Sequence, residues 1–62
     1  MSALLQFFEF AHLPPQLQEI SWPFRELACA LVEKLPDNAQ REAALEKLLE
    51  AKDAAVRARL MR

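Results

Sequence analysis

A chain of 62 residues makes at most one domain, and at this size it buries only about 60% of the surface that it exposes when unfolded. It has no glycine, which excludes the P-loop and the glycine-rich dinucleotide fingerprint, and its lone Cys29 and lone His12 exclude an internal disulfide and a four-ligand Cys/His zinc site. Eight Lys and Arg against nine Asp and Glu leave a net charge of -1, which argues against polymeric nucleic acid as a partner.

With 53% hydrophobic residues and neither disulfide nor metal, so small a domain must draw its stability from ideal helix packing or from self-association. The uncharged opening, Met1 to Phe8, falls far short of the roughly 20 apolar residues of a membrane span. It also lacks the basic leader and the small-residue cleavage site of a signal peptide, so the chain reads as cytosolic, with no membrane partner.

Four prolines and one polar cluster divide a single helical domain, residues 1–62, into three segments. The first, residues 3–13, carries Phe7, Phe8 and Phe10 and reads as a short helical turn followed by an extended stretch, because a residue before proline avoids helical geometry and Pro14-Pro15 follows. Its ring-bearing face must cover something.

The second segment, residues 15–35, opens on Pro15, a good first-turn residue, and places Leu17, Ile20, Phe24, Leu27, Leu31 and Leu35 at alternating spacings of three and four. Pro23 lies inside this pattern without breaking its phase, which predicts one kinked helix, although Ser21 could cap a fresh start. The third segment, residues 38–60, follows Pro36-Asp37-Asn38, and Gln40 stands three residues after Asp37, the spacing of a capping box. It is rich in strong helix formers, with Glu42 and Glu46 early and Arg57, Arg59 and Arg62 late, as the helix dipole favours. The expected fold class is therefore all-α: a short N-terminal helical segment and two longer antiparallel helices.

On a helical wheel the last helix gathers Leu45, Leu48, Leu49, Val56 and Leu60 in one stripe, with Ala44, Ala51, Ala54, Ala55 and Ala58 beside it, together about two-thirds of the circumference. One antiparallel partner covers a stripe nearer 100° wide, so a lone hairpin would leave apolar surface in water for other copies of the chain to cover. The alanines either let helices approach closely at that seam or merely raise helix propensity. Lys52 and Arg59 point into the leucine stripe, where a cation must find an anion or snorkel. In the second segment Arg25 stands between Trp22 and Cys29 on one flank, and three roles compete for it. It stacks on Trp22, bridges to a neighbouring subunit's carboxylate, or holds an anionic ligand at a subunit boundary.

Nothing places His12 and Cys29, the one proton shuttle and the one thiol, in a common site, and the carboxylates follow the pattern of a solvated helix face, so no enzyme is expected. Two binding classes remain: an oligomer that holds a small anion at its seams, and a helical protein-binding module or assembly factor. A cation and a ring on neighbouring elements favour the first, because phosphates seek charge-assisted donors and bases seek flat faces; Arg25 and His12 offer that pair.

Three stretches carry a resemblance to a known family. These are Phe10-Ala11-His12-Leu13-Pro14-Pro15, then Phe24-Arg25-Glu26-Leu27-Ala28 with the Leu35-Pro36 break, then Lys47-Leu48-Leu49-Glu50-Ala51 and the alanine-rich end. Over about Phe8 to Leu60, ungapped after Pro36, the chain resembles the phage anti-CBASS cyclic nucleotide sponges, small helical anti-CBASS proteins of the second type. The resemblance implies a compact homohexamer in the cytoplasm of an infected bacterial host. It also implies sequestration, without cleavage, of cyclic dinucleotides such as cGAMP between paired protomers and, as in many members of the family, of cyclic trinucleotides at separate three-fold sites.

The family's base-stacking aromatic and phosphate-holding lysine fall here on His12 and Arg25, where the motif has Tyr and Lys. Imidazole still stacks and guanidinium still grips phosphate, so both roles carry over. A shorter stretch between Pro15 and Arg25 brings Phe10 into contention as the stacking ring, with Trp22 beside Arg25 as a further candidate contact. Arg57 or Arg59 is the candidate cation for a trinucleotide site, and neither cofactor nor metal is implied.

Overall fold

A computed structural model describes residues 2–61; Arg62, counted above among the late cations, lies outside the described residues. Three helical elements follow one another: a 3₁₀ helix Ala3–Phe8, helix α1 Pro15–Lys34 and helix α2 Ala39–Leu60. This is the expected all-α order of one short and two long helices.

α1 starts where a proline costs least, since Pro15 needs no helical amide partner in the first turn. Pro14 is extended and offers no side-chain cap; its carbonyl instead accepts from the amides of Leu17 and Gln18, at 2.9 and 3.0 Å. The helix then runs unbroken through Pro23, as one helix and not two. It ends at Lys34, one residue before the expected end, because Leu35 precedes Pro36 and is held extended.

α2 is capped by Asn38, whose Oδ1 accepts from the Arg41 amide at 2.9 Å. This corrects the capping box expected from Asp37 and Gln40. Asn38 immediately precedes the first helical residue, Ala39, and from that position its side chain reaches the free amide of Arg41 two residues into the helix. Asp37, one step further out, pairs with the Arg41 side chain at 2.9 Å.

The link from Leu35 to Asn38 is short, and at the far end Arg59 Nη1 donates to the Gln16 carbonyl at 3.3 Å. The two long helices are therefore antiparallel. The 3₁₀ helix lies against both as a strap. Ser2 caps it by accepting from the Leu4 amide, and the same hydroxyl donates to Glu42 Oε1 at 2.7 Å. Beyond Phe8 the chain is extended at Glu9, turns at Ala11 and His12, where the Leu13 amide donates to the Phe10 carbonyl at 3.0 Å, and is extended again at Pro14. The extended run expected up to the prolines is thus interrupted by a turn.

Phe8 is the ring that covers something: it is fully buried with Ala28 and Leu45, and Leu4, Leu5, Phe24, Leu31, Val32, Leu48 and Leu49 pack around that centre. Of the expected stripe, Leu17, Phe24 and Leu31 face inward, joined by Ser21 and Ala28, whereas Ile20 is half-buried and Leu27 and, past the helix end, Leu35 are exposed, so the contact line is rotated toward the small side chains. Small side chains at Ser21 and Ala28 let the neighbouring elements come close there, which displaces the larger leucines to the flank. Trp22 at 46% and Leu60 at 62% remain in water with Leu27, as do Ala44, Ala51, Ala54 and Ala58.

Candidate functional site

The strap, the turn that follows it, α1 and the second half of α2 enclose a groove of about 310 Å³. His12 borders it from the turn. Gln18 sets the position of that turn, since its Nε2 donates to the Leu13 carbonyl at 2.7 Å and lies 3.4 Å from the Ala11 carbonyl, the two residues that flank His12. Phe7 and Glu9 line the groove from the strap side, Ser21 from α1, and Lys52, Asp53, Val56 and Arg57 from α2.

The charges around this groove are unequally matched. Lys52 Nζ donates to the Phe7 carbonyl at 2.7 Å, lies 3.4 Å from Asp53 Oδ1 and stands 5.9 Å from the centre of the Phe8 ring. The sequence placed this cation in the leucine stripe; a backbone carbonyl and a neighbouring carboxylate are its answer. Glu9 forms an ion pair with Arg25 of α1. Hydrogen bonding to Glu9, and after it to Cys29, raises the Arg25 guanidinium above its ordinary value, so this arginine stays charged. Arg59 turns away from the groove to the Gln16 carbonyl and to Glu19, 3.8 Å from its Oε1. Arg57, by contrast, borders the groove with no ion pair among the described residues.

Of the residues singled out in the sequence, His12 and Arg57 therefore meet at one groove, although they were assigned to different sites. Arg25 is outside the lining and reaches it only through Glu9. The three roles weighed for Arg25 did not include this partner in its own chain. Among the described residues no cation–ring contact joins Arg25 to Trp22, which is half exposed on α1. Phe10 is half-buried beside the turn and does not line the groove.

Sequence reasoning missed Ser21 as a wall residue. Its side chain is 0% exposed, and its Oγ has no hydrogen-bond partner among the described residues. A serine inside a helix commonly bonds the carbonyl four residues back, and leaving a buried hydroxyl unpaired costs roughly 1–3 kcal/mol. The signal available in the sequence was a short polar residue between Leu17 and Phe24 on the helical period, where it suggested a helix cap.

Among the described residues no group of His, Cys, Asp and Glu is arranged to hold a metal ion, and no helix is long and apolar enough to cross a membrane. Comparison with protein-family models, with curated proteins and with solved structures finds no match to this chain.

Proposed function

We propose that the protein is a homo-oligomeric sponge, a hexamer by its resemblance to the anti-CBASS proteins, which binds cyclic di- or trinucleotides without cleaving them and so blunts a bacterial antiviral signal. The observation that carries this reading is the meeting of rings and a spare cation at one groove: His12 and Phe7 beside Arg57. Bases need the flat faces and phosphates need the charge.

A volume of about 310 Å³ lies at the lower end of ligand pockets, which run from about 300 to 1,000 Å³. Such a groove suits part of a cyclic dinucleotide, and a second copy would close over the rest. The exposed Trp22, Leu27 and Leu60 supply apolar surface for that copy to cover. Arg25 joins the site by exchanging Glu9 for a phosphate, a swap of one anionic partner for another. A sponge works by stoichiometry, so it needs tight binding; nanomolar affinity corresponds to about -12.3 kcal/mol.

Native mass spectrometry after incubation with a panel of cyclic di- and trinucleotides tests the reading, and heating the complex should return the ligand intact. Arg25→Ala is expected to abolish uptake of cyclic dinucleotides by calorimetry while the oligomer persists in ultracentrifugation. His12→Ala should weaken binding more than Phe10→Leu does; the reverse order moves the stacking role to Phe10. A folded single subunit with no uptake refutes the sponge. The exposed Trp22 and Leu27 favour the runner-up, a helical protein-binding module, which predicts no nucleotide uptake and one specific protein partner in a pull-down.

A further inference from the structure

Gln18 and Arg25 stand one turn of α1 before and after Trp22, and both reach the segment that carries His12: Gln18 donates to the Leu13 carbonyl at 2.7 Å, and Arg25 pairs with Glu9. Trp22 therefore stands at the rim of the groove, next in sequence to the wall residue Ser21, yet it is half exposed and is not among the lining residues. One turn further along α1, Glu26 is an exposed carboxylate with no ion pair among the described residues. On the α2 wall, Arg57 is a cation in the same condition. The protomer thus carries a ring with a spare acid on the rim, and a spare cation among the apolar walls of Phe7, Leu13 and Val56 inside.

We propose that a second copy of this chain plugs the groove: Trp22 of each protomer enters the groove of the other, where its indole face lies against the partner's Arg57 while Glu26 pairs with the same guanidinium. Ring and groove share one rim, so a twofold axis there brings each ring to the other copy's groove and the contact closes on itself. Indole is the best ring for a cation, a guanidinium offers its face to a ring and its edge to a carboxylate at once, and Trp and Arg are the residues that most often dominate an interface. A groove of about 310 Å³ has room for one indole, whose N–H finds acceptors in the Glu9 and Asp53 carboxylates of the lining. The proposal specifies a seam for the oligomer in the reading above; it rests on the self-association in that reading and on no nucleotide.

Trp22 is the one tryptophan of the chain, so its fluorescence reports the contact directly. Its emission should shift to the blue as protein concentration rises, over the same range in which sedimentation equilibrium shows association. Trp22→Ala should weaken association about thirtyfold or more, as loss of a central interface ring does, while circular dichroism keeps its helical signal, because the ring is half exposed in the protomer. Glu26→Arg and Arg57→Glu each set like charges against one another across the seam and should each weaken association about fivefold or more. An equimolar mixture of those two variants restores opposite charges on both sides of the seam, and should associate at least about fivefold more tightly than either variant alone. Lys47→Gln, a charge change elsewhere on α2, should leave association unaltered.

Association that leaves the Trp22 emission unmoved, or that survives Trp22→Ala, overturns the proposal, as does a mixture that associates no better than its components. A chain that stays single at millimolar concentration overturns both this contact and the oligomeric sponge. Uptake of cyclic dinucleotides by a Trp22→Ala variant that assembles undiminished would keep the sponge and remove this contact. Loss of association in that variant, with no cyclic nucleotide taken up by the native chain, would keep the contact and remove the sponge.

Discussion

At the loop end of the hairpin, Asn38 caps α2, Asp37 and Glu42 flank Arg41, and Ser2 ties the strap to Glu42, so that even an arginine only 5% exposed sits between two carboxylates. At the open end, where α1 begins and α2 finishes, Arg57 has no ion pair among the described residues, the Ser21 hydroxyl is unpartnered, and Leu60 is in water. Both ends are built from the same two helices and the same strap. The difference lies in how charge is matched: at the loop end Arg41 is ion-paired with Asp37 and Glu42, although Arg41 Nε and Glu42 Oε2 are buried without a hydrogen-bond partner among the described residues, whereas at the open end Arg57 is left without an ion pair.

The strongest way to break this comparison is at the residue both ends depend on. Phe8 fastens the strap to Ala28 and Leu45, and Phe8→Ala is expected to cost about 3–5 kcal/mol, enough to release the strap and with it the groove. Chemical denaturation followed by circular dichroism measures the loss. An effect below about 1 kcal/mol would mean that the strap contributes little to the fold.

Next in size is the loop end. Asn38→Ala removes the side-chain cap of α2 and should cost about 1 kcal/mol in the same denaturation experiment, with ligand uptake unchanged. Reduced uptake at constant protein fold would show that the two ends are coupled. The smallest effect has the opposite sign. Ser21→Ala deletes a buried hydroxyl that has no partner, so the free protein should keep its stability or gain up to about 1 kcal/mol. A clear loss of stability would show that the hydroxyl is satisfied in solution, and the contrast between the ends would shrink.

Much of the fold was legible in the chain. The Pro14-Pro15 pair, Pro36 and the polar cluster marked the limits of the two long helices to within a residue, because proline geometry and helix capping act over only a few neighbours. The apolar excess of the last helix was legible too, and Leu60 with several alanines is indeed left in water by the hairpin. The choice between Asp37 and Asn38 as the cap turned on a one-residue shift in where α2 begins, which spacing alone does not settle.

The site was less legible, for a reason visible in particular residues. A helical wheel ranks side chains by hydrophobicity, whereas the contact line of α1 is drawn by size and passes through Ser21 and Ala28 instead of Leu27. That rotation decides which flank of α1 faces the strap. The partners of the cations are likewise distant in the chain: Glu9 for Arg25, the Phe7 carbonyl for Lys52, and Glu19 with the Gln16 carbonyl for Arg59.

By itself, the sequence determined the all-α order of one short and two long elements, the ends of the two long helices to within a residue and the surplus of apolar surface on the last of them, since these follow from local backbone geometry and from periodicity within each segment. Only the tertiary structure decided that His12 and Arg57 border one groove, that Arg25 is held by Glu9, and that Ser21 is buried without a partner. Those facts depend on how far two helices and a strap rotate and slide before their side chains interlock, and that is a property of the packed surfaces together, not of any one segment.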